Sequence, residues 1–220
     1  MTTIDKIYIT HWSPLVERKQ YIEKRLKELG LFDKVIFMTY YDRNTVNWNK
    51  IDKLCFENPN INFKMTKAHK CNFLNHFECY KDILANNYNN CLILEDDTLI
   101  NINDFKDKLD KILDSNVKNV YDFIFIGNYT HKSILNFQKK FNKINDFLYF
   151  TQQSNCADSY LCSLKGIKTL FNNNIIPFSK GIDHAMNDWF KNYNMNVYLH
   201  DPPLTIQGSC SKYKSTNNNN

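Results

Sequence analysis

The chain begins with a short run, Lys6 to Thr10 ("KIYIT"), whose alternation and β-branched residues predict a strand. Ser13 and Pro14 follow as an expected N-cap and first helical position. Tyr21, Ile22, Leu26 and Leu29 then recur at helical spacing, and Gly30 closes the pattern. Val35 to Met38 is a second apolar run. Strand, helix and strand in that order form the unit of a parallel sheet. Asn44 to Phe63 is polar and irregular. Thr66 opens a long helical pattern that ends near Asn86, with Phe73, Leu74, Phe77, Tyr80, Ile83 and Leu84 on one side. Cys91 to Leu94 predicts a short buried strand. Asn103 or Asp104 is expected to cap a helix through Leu113, and Tyr121 to Ile126 predicts another buried strand, closed by Gly127. Phe147 to Phe150 and Val197 to Leu199 read as later strands, and Leu164 to Phe171 and His184 to Lys191 as helices. No internal repeat interrupts this alternation, which predicts an α/β sandwich around a mostly parallel sheet.

Length fits one domain: 220 residues, of which 1–208 carry the pattern and 209–220 ("SCSKYKSTNNNN") read as a flexible polar tail. No apolar run approaches the roughly 20 residues of a membrane span. The opening "MTTIDKIYIT" lacks the apolar centre of a secretory signal. Seven cysteines without regular spacing point to a reducing, cytoplasmic compartment. In that setting the sequon Asn128 to Thr130 carries little meaning.

The net charge of +5 does not indicate nucleic acid. Arginine, the residue suited to forked phosphate and base contacts, occurs only at Arg18, Arg25 and Arg43. The lysines are scattered among acids, as in "DFKDKLDKILD", and read as solvated helix faces. Lysine and asparagine richness instead suggests AT-biased coding, compatible with a large DNA virus or an AT-rich microbe.

Chemistry concentrates where the strand Cys91–Leu94 runs into Glu95, Asp96 and Asp97. Ligands of open α/β sheets bind beyond the carboxyl ends of the strands. Three acids at such an end repel one another unless a positive group neutralises them. A hard divalent cation with oxygen ligands is the simple answer, its shell completed by substrate phosphates and water. A lone Asp there would read as a turn or a helix cap. The motif alone also suits a metal-dependent phosphohydrolase or nuclease.

"LILEDD" resembles the acidic motif of nucleotide-sugar glycosyltransferases of the GT-A fold. More specifically the chain is similar to glycosyltransferase family 25, which includes lipopolysaccharide and procollagen galactosyltransferases. The likeness runs over most of Ile7 to Gln207. It is carried by "KIYITHWSPLVERKQYIEKRLKELGLFDKV", by "MTKAHKCNFLNHFECYKDILANNYNNCLILEDD", and by "YDFIFIG", "SYLCSLKGIKTLF", "GIDHAMNDWF" and "DPPLTIQ" in order. His11-Trp12, Asp42-Arg43, Lys67-Ala68 and Asn75 depart from the family's usual residues.

The resemblance implies a Rossmann-like GT-A domain and an inverting transfer of a hexose from a UDP-sugar to a saccharide or collagen-like hydroxyl. It implies Mn²⁺ or Mg²⁺ held by Asp97, Asp96 at the ribose or a metal-bound water, and Glu95 as a positioning group. Inversion requires a base on the far side of the sugar; Asp183 is the first candidate and Asp188 the second. Asp183 also reads as a cap for the helix from His184. His76 reads as a buried, hydrogen-bonded histidine, with a donor-pocket role implied by the family match. His200 reads either as a strand end or as a further metal ligand. Thr10 and Arg18 follow the first strand, where nucleotides dock, although a solvated helix face also explains Arg18. His69, His76 and Cys79 have helical spacing, but no C-x-x-C pair supports zinc there. Trp12, Tyr40, Tyr41 and Trp189 are able to stack on a base or sugar, or simply to fill the core. A nucleotide-sugar-binding module without turnover is the other class that these departures leave open.

Overall fold

The computed structural model describes residues 3–59, 64–127, 141–154 and 156–216. The sequon at Asn128 and residues 217–220 lie outside them. Among the described residues, ten strands alternate with six helices. The first part of the chain gives β1 (Lys6–Thr10), α1 (Val16–Glu28), β2 (Val35–Met38), α2 (Trp48–Ile51), α3 (Lys67–Asn86), β3 (Asn90–Glu95), β4 (Thr98–Leu99) and α4 (Phe105–Leu113). The second part gives β5 (Phe123–Phe125), β6 (Asn142–Lys143), β7 (Leu148–Thr151), β8 (Ser159–Ser163), α5 (Leu164–Asn172), α6 (Ile182–Asn192), β9 (Val197–His200) and β10 (Ile206–Gln207).

Eight strands form one sheet in the order β2-β1-β3-β8-β5-β9-β7-β6. Six share a direction, while β8 and β7 run against them. The sheet is therefore mostly parallel in strand direction, although β8 inserts antiparallel contacts at its centre. Side chains alternate across it as the period of two requires. On β3, Cys91 and Ile93 join a core with Phe73, Tyr80, Ile167 and Phe190 of α3, α5 and α6. Leu92 and Leu94 join the opposite core, with Ile22, Leu26, Phe105 and Leu109 of α1 and α4. The result is a Rossmann-like sandwich with helices on both faces.

Two local readings are corrected. Ser13-Pro14 does not start α1, which begins at Val16 with Leu15 at the cap. The Ser13 hydroxyl and its backbone N–H both donate to the Asp42 carboxylate, and Leu15 N–H bonds the Trp12 carbonyl, so these residues form a turn instead. The helix expected from His184 starts earlier, at Ile182, with Gly181 at the cap, which places Asp183 inside its first turn. Among the described residues no helix is long and apolar enough to cross a membrane.

Candidate active site

The strands β1 and β3 lie side by side and parallel, with Thr10 opposite Glu95. The helix after β1 packs on one face of the sheet and the helix before β3 on the other. The carboxyl ends of these strands therefore open a crevice at a change in connection direction, the place where α/β sheets accept ligands. Beyond the acids, the short antiparallel pair β4–β10 sets Gln207 opposite Thr98. That pairing brings the segment after Gly208 back over the crevice.

The three acids have distinct surroundings. Asp96 is buried, and both of its oxygens have partners. One oxygen meets His11 Nδ1 at 2.9 Å and accepts the Trp12 backbone N–H at 3.2 Å, and the other accepts from Arg18 at 2.8 Å. Glu95 accepts from Asn72 Nδ2 at 2.6 Å, and His76 Nε2 lies 3.6 Å from the same oxygen. Asp97 accepts the Ser209 backbone N–H at 3.0 Å on Oδ2, while its buried Oδ1 has no hydrogen-bond partner. Burial, with Glu95 adding to it, pushes the Asp97 carboxyl up to about 6. A fourth acid, Asp158, is completely buried nearby. Burial and then Glu95 push its carboxyl well above the usual range.

Two cavities meet at these acids. The first encloses about 70 Å³ and is lined by Thr10, His11, Arg18, Arg43, Asp96 and Asp97, among others. The second encloses about 130 Å³ and is lined by His69, Cys156, Gly181, Asp183 and His184. Asn72, Glu95 and Gln207 line both. Asp183 accepts the His184 backbone N–H at 2.8 Å. Burial pushes its carboxyl upward, and Glu95 contributes in the same direction.

Thr10, Arg18, Glu95, Asp96 and Asp97 thus share one cavity, and Asp183 reaches it through the second. Arg18 is not on a solvated face. It is buried between Asp96 and the Lys214 carbonyl, which accepts its other nitrogen at 2.7 Å. His76 is wholly buried beneath Glu95, with Nδ1 2.7 Å from the Tyr160 hydroxyl, and does not line either cavity. His200 is not brought to Asp97. Its Nδ1 meets the Pro202 carbonyl at 2.7 Å, its ring packs on Phe147, and the charges around it are Asp201, Lys108 and Lys111. Asp188 sits beyond the turn of α6 that carries Asp183, pairs with Lys180, and lines a separate cavity with Phe56 and Trp189.

Sequence reasoning missed Asn72, Asp158, Arg43 and residues 209–216. Arg43 stacks on the Trp12 ring at 3.8 Å and donates to the carbonyl and hydroxyl of Thr216. Its rarity in an arginine-poor chain was the available signal. The polar segment 209–216, expected to be loose, lies instead against Asp97, Arg18 and Arg43. Backbone carbonyls and amides make these contacts, which residue types do not advertise.

A polar crevice of carboxylates and arginines at the carboxyl ends of parallel strands marks the place where a Rossmann-like domain takes its ligand. Comparison makes that class particular. The profile of glycosyltransferase family 25 (LPS biosynthesis protein) matches residues 4–186, and the chain belongs to that family. No curated protein matches it.

Proposed function

We propose that this glycosyltransferase moves a hexose from a UDP-sugar to a hydroxyl of a saccharide or collagen-like acceptor, with a divalent cation and with inversion. The observation that supports this reading best is the pair of adjoining cavities, one holding carboxylates and arginines, the other Asp183.

The residues fit Mn²⁺ or Mg²⁺ in one particular way. Among the described residues no three His, Cys, Asp or Glu side chains converge as a cage. A cation that binds a nucleoside diphosphate needs only one or two carboxylates, with phosphate oxygens and water completing its shell. Asp97, with an unpartnered buried oxygen, suits that role. When bound, the metal would supply Lewis-acid stabilisation of the departing diphosphate. Asp96 spends both oxygens on fixing His11, Trp12 and Arg18. Arg43, now held by neutral oxygens of Thr216, is placed to exchange them for phosphate. Asn72 holds Glu95 between the cavities, with the His76 ring 3.6 Å beneath it. Asp183 takes the proton of the attacking hydroxyl from the far side of the sugar, and its raised carboxyl makes it a stronger base.

One observation favours a second reading. Arg18 and Arg43 both spend donors on the chain's own segment 214–216, as in a binding module that does not turn over. A panel of UDP-sugars with Mn²⁺, read by UDP release and product mass, separates the two. Release with one donor that disappears in Asp97→Ala supports the transferase. Tight UDP-sugar binding without loss of sugar, even with saccharide acceptors present, supports the module.

A further inference from the structure

The N-terminus of α3 is built in an unusual way. Thr66 caps it, its hydroxyl accepting the His69 backbone N–H at 3.3 Å. The reciprocal half of the capping box is supplied by an imidazole. His69 Nδ1 accepts the Thr66 backbone N–H at 3.1 Å and lies 3.0 Å from the Thr66 hydroxyl. Glutamate or glutamine ordinarily fills this place.

An imidazole in this role has a fixed protonation pattern. Nδ1 accepts a backbone N–H, so it carries no proton, and the ring hydrogen resides on Nε2. Protonating Nδ1 would break the box and set a cation at the positive end of a helix. Burial adds to this, holding the imidazole below its ordinary range. His69 is therefore a neutral ring with one orientation and one donor.

The ring lines the second cavity with Asp183, Glu95 and His184. A Cβ built on Gly181 would lie 3.3 Å from Asp183 Oδ1 and 3.9 Å from His69 Cδ2, so both side chains stand beside the same glycine. Among the charges acting on His69, Asp183 ranks first, followed by Glu95, Arg43 and His184. Those acting on Asp183 come from His184 on its own helix and Glu95 at the end of β3.

We propose that His69 is a positioning residue for the proposed base: a neutral imidazole, locked by the α3 capping box, that holds the Asp183 carboxylate toward the acid cluster. This rests on Asp183 being the base, and it goes further by assigning a role to a histidine that a zinc reading had left without one. The lock matters because a histidine free to turn or to charge would pair with Asp183 as an ion and weaken it as a base.

Two measurements on the intact chain test the pairing. The first follows the His69 imidazole nitrogens by ¹⁵N NMR in wild type and Asp183→Asn. The proton is expected on Nε2 at neutral pH, and removal of the Asp183 charge is expected to lower the His69 titration by about half a unit or more. Superimposable titrations overturn the proposal. The second is UDP release from UDP-galactose with Mn²⁺ by His69→Gln, which keeps a side chain able to complete the capping box. Retained thermal stability, donor KM unchanged and kcat lower by about tenfold, within the usual span for acid–base groups, is expected. A wild-type kcat in this variant shows that His69 only caps the helix, and overturns the proposal. Undiminished release by Asp183→Asn fails separately: it removes Asp183 as the base while the NMR result still reports whether the two side chains are coupled.

Discussion

At the residue scale, Asp97 shows what burying one carboxylate costs in stability. Its oxygen without a partner and its carboxyl pushed from 3.8 to about 6 have the same cause, burial beside Glu95. The folded state binds the Asp97 proton more tightly than the unfolded chain. Its contribution to stability is therefore fully present below pH 3.8 and lost as pH rises through about 6. At about 1.4 kcal/mol per unit, the loss is on the order of 3 kcal/mol at neutral pH. Asp97→Asn removes the titrating charge, so it should raise Tm at pH 7.5 and change it little at pH 4. Mn²⁺ with UDP should raise the wild-type Tm and leave that of the variant in place. A variant less stable than wild type at pH 7.5 would contradict the burial argument. On the proposed reading, Asp183 carries the same sign into turnover: its raised carboxyl would have to ionise to act as a base. Activity should fall on the acid side from a higher pH than an ordinary aspartate gives. A kcat profile flat down to pH 4.5 would remove Asp183 from that role.

At the element scale, the sequence was most informative where periodicity and burial agree. β1, β2 and α3 were legible because each buries one face or runs apolar between turn signals, and α3 also announces its cap at Thr66. β8 was legible only through the likeness to the family. All five of its residues are buried, so "SYLCS" carries no alternation, and its serines look like loop chemistry. Ser163 in fact caps α5, donating to the Tyr121 carbonyl and accepting from Gly166 N–H. Gly166 is there because α5 crosses the strand below it closely. A Cβ at that position would stand 2.7 Å from the Asp122 carbonyl oxygen. Gly166→Ala gains about 1 kcal/mol of helix propensity but forces the helix from the sheet, an overpacking cost of about 1–3 kcal/mol. Chemical denaturation should show a net loss of stability with an unchanged m-value. A gain would mean that α5 shifts freely. At the site, Asp97, Arg18 and Asp183 were readable as residue types near strand and helix ends, whereas His200 was misplaced. Its strand β9 lies beyond β8 and β5 in the sheet, away from β3, and strand order is not written in local pattern.

At the scale of the whole molecule, the site is covered by a later segment of the same chain. Residues 209–216 place a backbone N–H on Asp97, a carbonyl on Arg18 and two oxygens on Arg43, with Tyr213 5.1 Å from the Arg18 guanidinium. Ser215 and Thr216 help to line a cavity of about 70 Å³. Small-molecule sites ordinarily span about 300–1,000 Å³, so a nucleotide sugar does not fit beneath this cover as it lies. Either the donor binds elsewhere or the segment moves, and the arginines favour movement. Each spends hydrogen bonds on neutral oxygens, whereas a diphosphate would offer charged ones, roughly twice as strong. Opening the cover nevertheless costs those bonds, and that cost is subtracted from the donor's affinity. Truncation after Cys210 removes it while leaving the Ser209 N–H on Asp97. The truncated protein should bind UDP with Mn²⁺ several-fold more tightly than the full chain by calorimetry, at some loss of Tm because the bonds of Arg18 and Arg43 to the segment and the packing of Tyr213 are lost. Weaker binding would mean that residues 211–216 hold the nucleotide rather than compete with it, and the segment would then belong to the donor site itself.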